Sequence, residues 1–135
     1  PGVARIAALL RLHPNVFIDT SLGTREILID GMAVMEADRA LFQELFKSFP
    51  DRFVWGTDSV VTDNPEKTTA WFSRVLDVTR DQLEKDVFTT ELAAAYSKYW
   101  KKGRDPDGRY QGLALPPEIL AKVYVDNAKR WLRLP

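Results

Sequence analysis

The chain has 135 residues, with 19 Lys plus Arg against 19 Asp plus Glu and a formal net charge of zero. That length carries one domain with a real core but not two, and the balanced charge argues against a nucleic-acid partner or an acidic membrane recognised by bulk electrostatics. The absence of cysteine excludes disulfides, thiolate metal ligands and a cysteine nucleophile. No apolar run reaches membrane-span length and the N-terminus lacks a signal-peptide layout; the compartment is left open, with a soluble, cytoplasmic protein as the expectation. Pro1-Gly2-Val3 contains no initiator Met, which suits a cut or processed piece of something longer as well as a removed Met or tag.

Val3, Ile6, Ala7 and Leu10 recur at helical spacing, and Pro14 ends the pattern. Val16-Phe17-Ile18-Asp19, followed by Thr20-Ser21, reads as a buried strand with a polar exit. The stretch Glu26-Ile27-Leu28-Ile29-Asp30, between Gly23 and Gly31, reads as a strand or an ordered surface excursion. From Glu36 to Phe49 the pattern is helical, with Leu41, Phe42, Leu45, Phe46 and Phe49 on one broad apolar face. Phe53-Val54-Trp55-Gly56-Thr57 then forms a second apolar strand, so that strand, connection, helix and strand make a βαβ unit with parallel strands.

Asp63-Asn64-Pro65-Glu66 carries a helix-start signature, with Trp71, Phe72, Val75 and Leu76 as the buried side. Thr79 with Gln82 spells a capping box and predicts a fresh helix, running to Lys102 with Leu83, Val87, Leu92, Ala95, Tyr96 and Tyr99 inward and Gly103 ending it. Residues 103–115 are turn-rich and read as an exposed loop. Pro116-Pro117-Glu118 opens a final helix with Ile119, Leu120, Val123, Ala128, Trp131 and Leu132 on its apolar side.

Chemistry centres on Asp58, a carboxylate at the tip of an apolar strand. C-terminal ends of parallel strands are where loops build sites. Two readings stand side by side: a carboxylate that binds a metal or takes a proton from water, or a side chain that caps the following turn. Alternation points Val54, Gly56 and Asp58 to one side and Phe53, Trp55 and Thr57 to the other. Asp19, Thr20 and Ser21 end the first strand in the same way, although an ordinary polar exit explains them equally. His13 is the only histidine. It precedes the first strand, whereas Asp58 follows the second, and a strand of five residues spans roughly 17 Å. The two groups therefore belong at opposite ends of the sheet, with His13 favourably placed against a helix dipole. Ser59 lacks a nucleophile elbow, and no glycine-rich phosphate loop is present.

Pro14 to Ser21, Asp51 to Asp58 and Ile119 to Leu132, with Asn127-Ala128 inside the last, resemble the C-terminal part of the amidohydrolase-related metal-dependent hydrolases. The subgroup they resemble includes the aminocarboxymuconate semialdehyde decarboxylase type. The resemblance implies an α/β fold in which the chain is part of a TIM barrel: its last two strands and closing helix, a single segment over residues 1–135 with a helix-rich insertion at about 79–115. It implies hydrolase or non-oxidative decarboxylase chemistry at a divalent metal, zinc first among candidates, in the intact enzyme. It transfers a metal or catalytic role to Asp58 alone, and places Asp19, Thr20, Ser21 and Ser59 at the substrate mouth or behind it. The family's first-strand His-x-His pair and later histidine ligands have no counterpart, so no metal is expected to bind tightly to this chain alone. Expected partners are a small-molecule substrate and a missing N-terminal half-barrel or another copy of the chain. The rival expectation is a non-catalytic interaction module whose segment 79–115, with Tyr110 and Leu113, faces a partner.

Overall fold

The computed structural model describes residues 2–23, 26–92 and 108–135. Helix α1 spans Gly2–Leu12. Its periodic apolar side lays Val3, Ile6, Ala7 and the buried Leu10 against one core cluster. Just past the end of α1, the guanidinium of Arg52 donates to the carbonyls of Leu10, His13 and Val16. A cation is favourable there, and it fastens the end of α1 to the residue that opens the second strand.

Strands β1 (Ile18–Asp19) and β2 (Phe53–Val54) are parallel, with Ile18 opposite Phe53 and Asp19 opposite Val54. Both are shorter than the apolar runs that predict them. The parallel order agrees with the βαβ reading: the N–H groups of Ile18 and Thr20 donate to Arg52 O and Val54 O, each at 2.9 Å. The other edge of β2 is covered by the end of the chain, not by a strand. Trp55 N–H donates to Val123 O at 2.9 Å, and the amide of Asn127 donates to Phe53 O at 2.8 Å.

From residue 26 to Ser48 the connection between the strands is two helices broken only at Asp38. Helix α2 covers Glu26–Ala37, where a strand or surface excursion was expected, and α3 covers Arg39–Ser48. Leu28, Ile29, Met32 and Met35 are buried while Ile27 is exposed, which is a helical stripe once Gly31 is not read as a break. Gly31 lies inside the helix because Leu22 needs the space: a Cβ there would sit 2.9 Å from Leu22 Cβ. The helical pattern expected over 36–49 is divided at Asp38, and Leu41 faces solvent.

After β2, helix α4 (Thr69–Glu84) starts later than the Asp63-Pro65 signature predicts. Thr68 is its cap, accepting from Trp71 N–H at 3.2 Å. The expected second start at Thr79 is not used. Thr79 is buried inside α4 and donates its hydroxyl to Val75 O at 2.9 Å, because Val75, Val78, Gln82 and Leu83 extend one buried face across the site of the capping box. The helix expected to reach Lys102 stops at Glu84, and β3 (Val87–Thr89) pairs antiparallel with β4 (Arg109–Gln111). Expectations for Ala95, Tyr96, Tyr99, Lys102 and Gly103 fall outside the described residues.

Residues 109–115 are not an exposed loop. Tyr110, Leu113 and Leu115 are buried, and the segment runs across the end of α4, where Leu113 and Leu115 N–H groups donate to Gln82 O and Leu83 O. Arg39 and Gln43 of α3 grip the same segment through Gly112 O and Leu113 O, both at 2.7 Å. Tyr110 and Leu113 are therefore core residues rather than partner-facing ones, while residues 93–107 of the same segment fall outside the described residues.

The final helix is interrupted: α5 (Pro117–Ala121), a π-helical turn over Lys122–Asp126 and α6 (Asn127–Leu132). Trp131 and Leu132, expected inward, are more than half exposed, whereas Val123 and Asn127 are buried. The widened turn shifts the register so that Val123 O and Asn127 both reach β2. One core cluster joins α2, α4 and the β3–β4 pair; another joins α1, α3, the parallel strands and the closing helix. The whole is a helix-rich α/β fold with few strands and no closed barrel among the described residues. No helix among these residues is long and apolar enough to cross a membrane.

Candidate active site

The loops after β1 and β2 meet at the C-terminal ends of the strands. Asp58 does not continue the alternation of β2. Its φ of 51° puts it in the left-handed region, which Asp tolerates better than most residues, and its side chain is exposed. The turn brings carboxylate oxygen Oδ2 within 4.0 Å of the point where a Cβ on Gly23 would lie, so Asp58 closes against the loop that follows β1.

Asp19 reaches the same end from the neighbouring strand. Its carboxylate lies over Gly56: a Cβ at that position would be 2.6 Å from both Cγ and Oδ1 of Asp19, so any larger residue there would displace the carboxylate. The carboxylate also accepts Ser21 N–H at 2.6 Å through Oδ1, an Asx turn that fixes the strand exit. Thr20 contributes its hydroxyl oxygen as acceptor for Gly56 N–H at 3.4 Å. The hydroxyl of Ser59 is buried without a hydrogen-bond partner, next to Asp58. Asp19, Thr20 and Ser21 thus form the exit of β1, and Asp58 and Ser59 follow β2 at the same end of the strands, with Asp58 against the β1 loop at Gly23. His13 lies before β1, at the opposite end of the strands from Asp58.

Behind β2 stands a polar chain that the residue pattern did not disclose. Trp55 meets Tyr124 edge to face with ring centroids 5.6 Å apart. The Tyr124 hydroxyl donates to Glu84 Oε1 at 2.9 Å, and Arg80 donates to the same oxygen at 3.0 Å. Burial, reinforced by the Glu84 carboxylate, raises the Tyr124 pKa well above its ordinary 10.0, against the opposing influence of Arg80. Only the i, i+4 spacing of Arg80 and Glu84 was visible in sequence; the contact with Tyr124 joins segments forty residues apart.

The sequence family described as Amidohydrolase matches residues 1–134. The chain belongs to the amidohydrolase family. No curated protein and no solved structure matches it. For an amidohydrolase-family chain the first question is whether the mouth fits a metal. Carboxylates are suitable ligands, but a zinc site takes three or four protein groups. The described residues contain no group of three or more His, Cys, Asp and Glu side chains placed to hold one ion. Asp58 and Asp19 therefore do not amount to a complete metal site among the described residues.

Proposed function

We propose that this amidohydrolase-family chain is the C-terminal segment of a TIM-barrel enzyme, residues 1–135 with an insertion at about 79–115. Its proposed reactions are hydrolysis of a C–N or ester bond, or non-oxidative decarboxylation, at a divalent-metal site, zinc being the first candidate. The single observation that supports the reading is that Asp58 and the Asp19-Thr20-Ser21 exit both follow the C-terminal ends of two parallel strands, with Asp58 against the β1 loop at Gly23, the end at which barrel chemistry is assembled. The family match supports the hydrolase class.

In this reading Asp58 supplies one carboxylate, as a ligand or as the base that accepts a proton from the attacking water. Asp19, Thr20 and Ser21 contact substrate or hold neighbouring groups in place. Because the donor set of the described residues is incomplete, the remaining ligands come from an N-terminal half-barrel or from another copy of the chain.

Asp58→Asn in the intact parent enzyme tests the role. Asn also tolerates the left-handed conformation, so folding should be preserved while turnover falls by about a hundredfold or more. Retained turnover would refute the assignment. Independently, a 135-residue chain that is monodisperse, monomeric and cooperatively folded would count against the need for a second half.

A further inference from the structure

The structure contains a pocket of about 330 Å³ that shares Asp19, Thr20 and Ser21 with the mouth and continues from them between apolar walls to which the proposed chemistry assigns no role. Ile6 of α1, Ile18 of β1, Val34 and Met35 of α2 and Phe42 and Phe46 of α3 form its walls. Folded interiors leave few voids larger than a water molecule, and an apolar cavity of about 150 Å³ suffices to bind benzene. A space about twice that size, walled from five elements including β2 through Phe53, holds roughly one aromatic ring with a short substituent. The polar wall residues, Asp19, Thr20 and Ser21, are consecutive and lie where β1 ends. Val34 is exposed and marks where the pocket meets solvent.

Charge narrows the class of occupant. Asp19 is the sole ionisable residue in the described wall, so a carboxylate ligand would meet a like charge and find no cation in return. Leu22, another wall residue, precedes Gly23, against which the Asp58 carboxylate lies. The pocket thus adjoins the candidate active site through one short stretch of loop.

We infer that this pocket is a binding site for a ring-sized apolar group, carrying no negative charge, of a small molecule. The inference is independent of what Asp58 does, since equilibrium binding needs no turnover. The test is titration of the full 135-residue chain with toluene and, separately, with benzoate, followed by ¹³C methyl chemical shifts. Toluene should shift the methyls of Ile6, Ile18 and Met35 saturably and leave those of Val60 and Val61 in place. Val34→Trp, at an exposed position that tolerates the change, should fill the opening and weaken toluene binding by about tenfold or more, and benzoate should bind the parent chain more weakly by a similar factor. Val60→Trp, at an exposed position outside the pocket, should bind toluene as the parent does. Toluene that moves no wall methyl, or binds the Val34→Trp variant as well as the parent, overturns the site; benzoate binding as tightly as toluene overturns the ligand class.

Discussion

The side-chain amide of Asn127 donates to Phe53 O at 2.8 Å, and the same nitrogen donates to Pro50 O at 2.8 Å. The residue is buried on the closing helix, so one amide satisfies two carbonyls at the entry to β2 that water does not easily reach. Replacement by Ala leaves both without that donor. Asn127→Ala should lower stability by roughly 2–4 kcal/mol, the cost of two orphaned buried acceptors, read as a reduced urea midpoint with unchanged slope. Asn127→Asp should be no better, because a carboxylate cannot donate. A midpoint equal to the parent's would show that the latch contributes nothing.

Gly56 and Asp19 occupy one space. Gly56→Ala drives a methyl into the Asp19 carboxylate and should destabilise by roughly 1–3 kcal/mol, the usual range for overpacking. The cause can be isolated: in an Asp19→Ala background the same substitution should cost less by roughly 1 kcal/mol or more. Equal costs in the two backgrounds would locate the strain elsewhere.

Gln82 presents the reverse situation. Both polar atoms of its side chain are buried without a hydrogen-bond partner, on the buried face of α4 that also carries Val75, Val78 and Leu83. Gln82→Met keeps length and removes the unpaired groups, so it should raise stability by roughly 1–2 kcal/mol. Thermal unfolding of the variant decides the matter; a lower melting temperature would mean that the amide is satisfied by water in solution.

Alkaline pH should weaken the fold through Tyr124. Its folded pKa lies above the ordinary 10.0, so below pH 10 both folded and unfolded chains keep the proton and the stabilisation is complete. Above pH 10 the unfolded chain releases it first, and stability falls as pH rises toward the folded value. Tyr124→Phe should show a shallower decline above pH 10 in urea titrations; an unchanged slope would exclude Tyr124 as its source.

Sequence alone reaches the parallel βαβ core because its elements are marked locally: α1 by a helical stripe ending before Pro14, the two strands by apolar runs, and the segment between them by the Phe42-Leu45-Phe46 stripe. The same logic misreads Thr79-Gln82, whose spacing satisfies a capping box while its neighbours demand burial, and Tyr110-Leu113, whose turn-rich surroundings conceal core residues. At the mouth, Asp58 and Asp19 were legible as carboxylates closing apolar strands. The left-handed turn at Asp58, the seat of Asp19 over Gly56 and the Tyr124–Glu84–Arg80 chain behind Trp55 were not, because each depends on residues that meet only after packing.

Local residue pattern is therefore enough for the set of apolar faces, the parallel order of β1 and β2 and the kinship carried by the Asp58 and Asn127 segments. Which groups cover the free edge of β2, and where the pocket beneath Val34 lies, emerge from packing alone. Periodicity reports that a side is buried, whereas the partner it is buried against is fixed by side-chain shape and by where backbone donors and acceptors are left unpaired.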